Sequence, residues 1–93
     1  MQTSVRRVYT KHAEFKFVLL KKRGWYFTKT RVNRVIRHPK WLGKTKLGEN
    51  AAMMPLNDDY ILRVIYVTID QNLKVITFHP ARKGRYETQI QQN

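Results

Sequence analysis

Two histidines in this chain could move protons: His12, in "YTKHAEFKF", and His79, in "KVITFHPARKGRYE". Histidine is the side chain that titrates nearest neutral pH, and it is the usual acid or base of RNA cleavage. Cutting RNA without a metal needs a base for the 2′-hydroxyl, an acid for the 5′ leaving oxygen, and cations for the charge that builds on phosphorus. His12 and His79 could supply the first two. Arg63, Arg82, Lys83 and Arg85 could supply the third, arginine being the better fork for phosphate. Tyr86 could stack on a base or donate a proton. Each residue also has a plainer reading. His12 can be an exposed helix-start residue and His79 can simply hydrogen-bond a turn. His38 precedes a proline in a loop and reads as structural or exposed.

Arg63 stands apart because it interrupts "ILRVIY", a stretch whose neighbours should be buried. A charge there must find a partner or reach an open sheet face. Its structural alternative is an ion pair with Asp58, Asp59 or Asp70; its functional one is a phosphate ligand.

The charge supports a polyanionic partner. Nineteen Lys and Arg face six Asp and Glu, a net charge of +13. From Met1 to Gly48 there are 14 basic residues and one acidic, Glu14, whereas Glu49 to Asn93 carries five of each sign. A field of one sign attracts nucleic acid, or an acidic protein that mimics it. Arg31, Arg34 and Arg37 on one helix, and Lys44 and Lys46 in a loop, are the candidate phosphate contacts beside Arg82 and Lys83. Other chemistries lack their residues. There is no cysteine, so no disulfide and no thiolate metal site. No paired carboxylates suggest a two-metal nuclease, no zinc set or Ser-His-Asp set stands out, and "GKTKLG" lacks the spacing of a phosphate-binding Walker loop. No metal and no cofactor is expected. No leader-like run and no stretch of about 18 apolar residues is present, so a cytoplasmic protein with no membrane partner is expected.

The elements that must position these residues follow from local signals. "SVRRVYT", Ser4 to Thr10, alternates as a short strand. Thr10 N-caps a first helix with Glu14 in its first turn, an apolar stripe of Phe15, Val18, Leu19 and the Lys22 stem, cations in the last turn, and Gly24 just beyond. Thr28 caps a second helix that buries Val32, Val35 and Ile36 and turns Arg31, Arg34 and Arg37 outward; Pro39 ends it. "GKTKLGEN" reads as a projecting basic loop. "AAMMPL" is a strand with Pro55 at an edge or bulge. "LNDDY" is a turn, "YILRVIYVTI" a central strand, "DQN" a second turn, and "LKVITFH" a last strand that Pro80 stops. The order β-α-α-β-β-β makes a single α+β domain, with two helices on one face of a small antiparallel sheet and the other face left for function. On this reading Pro80 directs Arg82, Arg85 and Tyr86 to converge beside His79.

Taken together, "YTKHAEFKF", "TRVNRVIRHPKW", "ILRVIYV" and "KVITFHPARKGRYE" resemble a small domain-of-unknown-function family with Thr-x-His-Ala at the first helix. Its second helix reads Val-x-x-Val/Ile-x-x-Pro, and its paired strands carry Leu-Arg-Val and Val-Ile-Thr. That family is similar to the BrnT-type and RelE/ParE-type toxins, and "ARKGRYE" is like the BrnT ending. The resemblance runs from about Val8 to Glu87. It implies a RelE/BrnT-like domain over residues 1–87, with 88–93 a polar C-terminal tail. It also implies metal-independent RNA cleavage, sometimes at the ribosome, held in check by an acidic antitoxin protein. The site it implies is His12, Arg63, His79, Arg82, Arg85 and Tyr86. Two rivals use the same charge differently: a nucleic-acid-binding module without catalysis, and an interaction protein for an acidic partner.

Overall fold

Thr10 anchors the first helix at both ends of its own hydroxyl. Its Oγ1 accepts from the Ala13 N–H (3.0 Å) and donates to the Ile76 carbonyl (2.9 Å), while its backbone N–H donates to the Val75 carbonyl (3.1 Å). One residue therefore caps a helix and fastens it to the last strand. The computed structural model describes residues 6–86; Ser4 and Val5 of the expected first strand, and the tail expected over 88–93, lie outside the described residues. The elements are β1 (Arg7–Tyr9), α1 (Lys11–Lys22), α2 (Lys29–Arg37), β2 (Trp41–Lys44), β3 (Asn50–Pro55), β4 (Tyr60–Ile69) and β5 (Asn72–Arg82). The fold is α+β, with both helices on one face of a sheet ordered β1-β5-β4-β3-β2. β1 runs parallel to β5, and every other pairing is antiparallel.

The caps follow the sequence. Gly24 adopts the left-handed conformation (φ 90°) just past α1, and Thr28 Oγ1 accepts from the Arg31 N–H (3.1 Å) at the start of α2. The buried stripe of α1 does not. Phe15 and Val18 are 57% and 52% exposed, while Ala13 and Leu20 are buried. Phe17 packs on Phe78 (4.6 Å between ring centroids) and Tyr9 (5.8 Å). Ala13, Phe17 and Leu20 keep helical spacing as well as the expected stripe does. The Thr10 bonds to β5 fix the rotation of the helix and choose between them. α2 buries Val32, Val35 and Ile36 as expected. It is tied to the N-terminal elements by Tyr9, whose hydroxyl donates to Asn33 Oδ1 (2.7 Å), and by the Lys29–Glu14 ion pair (2.7 Å).

The sheet has one strand more than the sequence predicts. Gly43 and Lys44, expected in a loop, belong to β2, paired with Ala51 and Asn50, so the loop shortens to Thr45–Glu49. Pro55 lies past the end of β2. Met53 faces β2, giving its carbonyl to the Lys40 N–H (2.9 Å), and Pro55 two residues on faces the same way, where no strand needs its missing N–H. Pro80 does not stop β5, which continues through Ala81 and Arg82, opposite Ile61 and Tyr60. β1 covers β5 only from Leu73 to Val75; beyond that β5 is an edge among the described residues, and an edge tolerates proline.

A bulge decides which residues of β5 face which way. Tyr66 pairs with Val75 but Ile65 pairs with Thr77, leaving Ile76 as the extra residue. Val75 and Phe78, three apart, therefore both reach the helix-side core with Leu62, Val64 and Ala52. Thr77, His79 and Ala81 turn to the opposite face. That second face carries its own apolar cluster of Trp41, Ala51, Met53, Ile61, Ile65 and Ala81, with Ile76 and Tyr86 packed against it.

Candidate nucleic-acid interface

The face away from the helices gathers most of the chemistry. Arg63 and His79 are directly opposite each other in the β4–β5 ladder, on neighbouring strands about 5 Å apart. Past Arg82 the chain reverses: the Lys83 N–H donates to the Asp59 carbonyl (2.8 Å), the Arg85 N–H donates to the Arg82 carbonyl (3.2 Å), and Gly84 takes φ 93°. A left-handed residue is what such a reversal requires. It lays Tyr86 back over the sheet, with its ring 4.1 Å from the Arg63 guanidinium, 5.5 Å from that of Arg85, and edge-on to His79 at 6.0 Å. Tyr86 is thus held between two cations, a contact worth about 0.5–2 kcal/mol for each.

Among the described residues no carboxylate balances this cluster. The ion pair there is Lys29–Glu14, so Arg63 pairs with none of Asp58, Asp59 and Asp70. Its Nε is buried without a hydrogen-bond partner. The surroundings act on His79, whose pKa falls from 6.5 to about 4 through burial first, then through the charges of Arg63, Lys16 and Arg85. Both effects disfavour the imidazolium, so the neutral ring of His79 is favoured at pH 7.

The β2–β3 hairpin closes one side. Gly43, Lys44, Thr45 and Lys46 line a cavity of about 370 Å³ with Ala51, Met53, Arg63 and Tyr86. Lys44 Nζ donates to Asn50 Oδ1 (2.7 Å), which steadies that wall. On the other side His12 Nε2 is 3.1 Å from Thr77 Oγ1, and Thr77 is two residues from His79 on the same face. The structure thus brings Arg63, His79, Arg85, Tyr86, Lys44 and Lys46 together, with His12 at the margin.

No family model matches this chain, and neither a curated protein nor a solved structure does.

The remaining sequence candidates lie elsewhere. Arg82 pairs with Tyr60 in the ladder and stacks on its ring at 5.3 Å. Tyr60 in turn meets Trp25 edge-on (5.1 Å), so Arg82 belongs to the helix side and does not converge with Arg85 and Tyr86. Lys83 is exposed in the reversing turn. Arg31, Arg34 and Arg37 are exposed along α2, also on the helix side, so the basic residues form two separate surfaces. Lys16 was missed by the reading of sequence, although its place one turn after His12 carried the signal: residues four apart share a helix face. Among the described residues no group of three or more His, Asp or Glu could hold a metal ion, and no helix is long and apolar enough to cross a membrane.

Proposed function

We propose that the protein is a toxin-like, metal-independent endoribonuclease that cuts RNA on the sheet face away from its helices, under the control of an acidic antitoxin. The observation that carries this reading is Arg63. It is a mid-sheet guanidinium with no carboxylate partner among the described residues, stacked on Tyr86 and opposite a neutral histidine. An arginine placed so is suited to receive a counterion from a ligand.

In this reading the phosphodiester lies against Arg63 and Arg85, with Lys44 and Lys46 guiding the strand and Tyr86 stacking on a base. His79 takes the proton of the 2′-hydroxyl as its oxygen attacks phosphorus. The 5′-oxygen leaves with a proton from His12, giving a 2′,3′-cyclic phosphate and a free 5′-hydroxyl. A phosphate seated between the arginines offsets the repulsion that lowers the His79 pKa, and so strengthens the base when substrate is bound. The work would be cytoplasmic, on messenger RNA, free or on the ribosome.

The test is incubation of pure protein with RNA in chelator, with and without ribosomes, followed by analysis of product ends. His79→Ala or Arg85→Ala should each lower cleavage by about 10²-fold or more with the fold intact. Wild-type cleavage by the double variant would sink the reading. A second reading, a basic module that binds nucleic acid without cutting it, is favoured by the exposed arginines of α2 on the other surface. Tight RNA binding with no product would select it.

A further inference from the structure

A second cavity, of about 420 Å³, lies on the helix side where α2 crosses the end of β3. It is separate from the sheet face described above and needs an occupant of different shape. We propose that this cleft binds a phosphate monoester carrying a flat or apolar group, such as a mononucleotide, either free or as the 5′ end of an RNA.

One wall is Arg31 and Arg34, three residues apart on an α-helix, which puts their Cβ atoms about 5–6 Å from each other. Neither makes an ion pair among the described residues. Arg31 only leans over the Phe27 ring at 5.9 Å. Two adjacent like charges repel, and one anion bridging them removes that cost while accepting from two forks. A phosphodiester brings one negative charge. A monoester brings nearly two at neutral pH, and so matches the pair. Thr28 and Thr30 stand at the rim. The Thr28 oxygen already accepts from the Arg31 N–H, which leaves its hydroxyl proton to donate.

The floor is apolar. Val35 and Leu62 are buried, and Met54, Pro55 and Leu56 are half-buried. The cleft is open there because β2 ends short of Met54 and Pro55. Its volume falls within the range of small-ligand sites, about 300–1,000 Å³. Charge on one wall and apolar surface beneath it select an amphipathic anion over bare phosphate. The floor favours a group that is flat enough to lie on Met54, Pro55 and Leu56.

The experiment is an NMR titration of the whole protein with a mononucleotide, with inorganic phosphate, and with short RNAs bearing a 5′-phosphate or a 5′-hydroxyl. Mononucleotide should shift the signals of Arg31, Arg34, Met54 and Leu56. Arg31→Gln and Arg34→Gln should each weaken it by about tenfold or more, the usual loss for a charge-assisted hydrogen bond. Inorganic phosphate should bind markedly more weakly, having nothing to lay on the floor. Tighter binding of the 5′-phosphate RNA than of the 5′-hydroxyl RNA at these signals identifies a strand end as the natural source; binding of the mononucleotide without that difference identifies the free ligand. Shifts confined to Gly43–Lys46 and Tyr86, unchanged affinity in both Gln variants, equal binding of inorganic phosphate, or no binding at millimolar concentration would each overturn the proposal.

Discussion

Lowering the pH from 7 to 4 should destabilise this protein through His79. In the folded chain the ring stays neutral until about pH 4, whereas in the unfolded chain it takes its proton near 6.5. Between those values the unfolded state binds a proton that the folded state refuses. Stability is therefore full above pH 6.5, falls as the pH drops, and stops falling through this group near pH 4. At full value the gap is worth about 3 kcal/mol; the ring is partly exposed, so we expect a loss on the order of 1–2 kcal/mol. The measurement is a difference between two proteins. Urea unfolding at pH 7 and pH 4 should show wild type losing that much more than His79→Gln. Ring signals of His79 followed by NMR should titrate near pH 4, and should move up in Arg63→Met, because the Arg63 charge is the largest cause after burial. Titration at 6.5 or above, or equal losses in both proteins, would refute the reasoning.

Arg63→Met should keep or raise the melting temperature, since it removes a charge with no carboxylate partner among the described residues and a buried unpartnered Nε, while RNA cleavage drops; a fall of several kcal/mol, on the order of 3–5, would reveal a buried pair. Replacing Arg31, Arg34 and Arg37 by Gln should flatten the salt dependence of RNA binding by about 2–3 logarithmic units per decade of salt if each meets a phosphate, and an unchanged slope would take α2 off the path of the strand. Phe17→Ala should cost about 3–5 kcal/mol in a denaturation experiment, whereas Phe15→Ala should stay within about 0.5; the reverse order would restore the stripe expected from sequence.

The legible parts of this fold are those governed by local chemistry. Thr10, Gly24 and Thr28 bound the helices where their side chains say, and Asn57 closes the β3–β4 turn by accepting from the N–H groups of Asp59 and Tyr60 (2.8 and 2.9 Å). The misread parts are those where two local answers were equally good. In "EFKFVLL" nearly every rotation of the helix offers an apolar stripe, and only the long-range bonds of Thr10 select Ala13, Phe17 and Leu20. "WLGK" is too short, and too rich in glycine and lysine, to announce a strand without its partner Asn50–Met53. The site was half legible. Arg63 was conspicuous as a charge in an apolar strand, and His79 and Tyr86 by their types. Their meeting was not, because the turn at Asp70 and Gln71, read with plain alternation, sets Arg63 opposite Phe78. The extra residue Ile76 moves the partner by one. Arg82 shows the converse: adjacent in sequence to the cluster, it is carried to the other side by the alternation of β5.

Pro80 has a consequence between molecules as well as within one. From Ile76 to Arg82, β5 has no strand on its outer side among the described residues, and an uncovered edge of that length is a template on which a second copy can add its own edge. Proline offers no donor there, and its ring keeps an incoming strand from closing the ladder. The cations at Arg82, Lys83 and Arg85 repel an identical edge at the same point. The residue that looks like the end of a strand thus works as a guard on its flank. A chain with valine at this position would leave that flank open to pairing with a second copy.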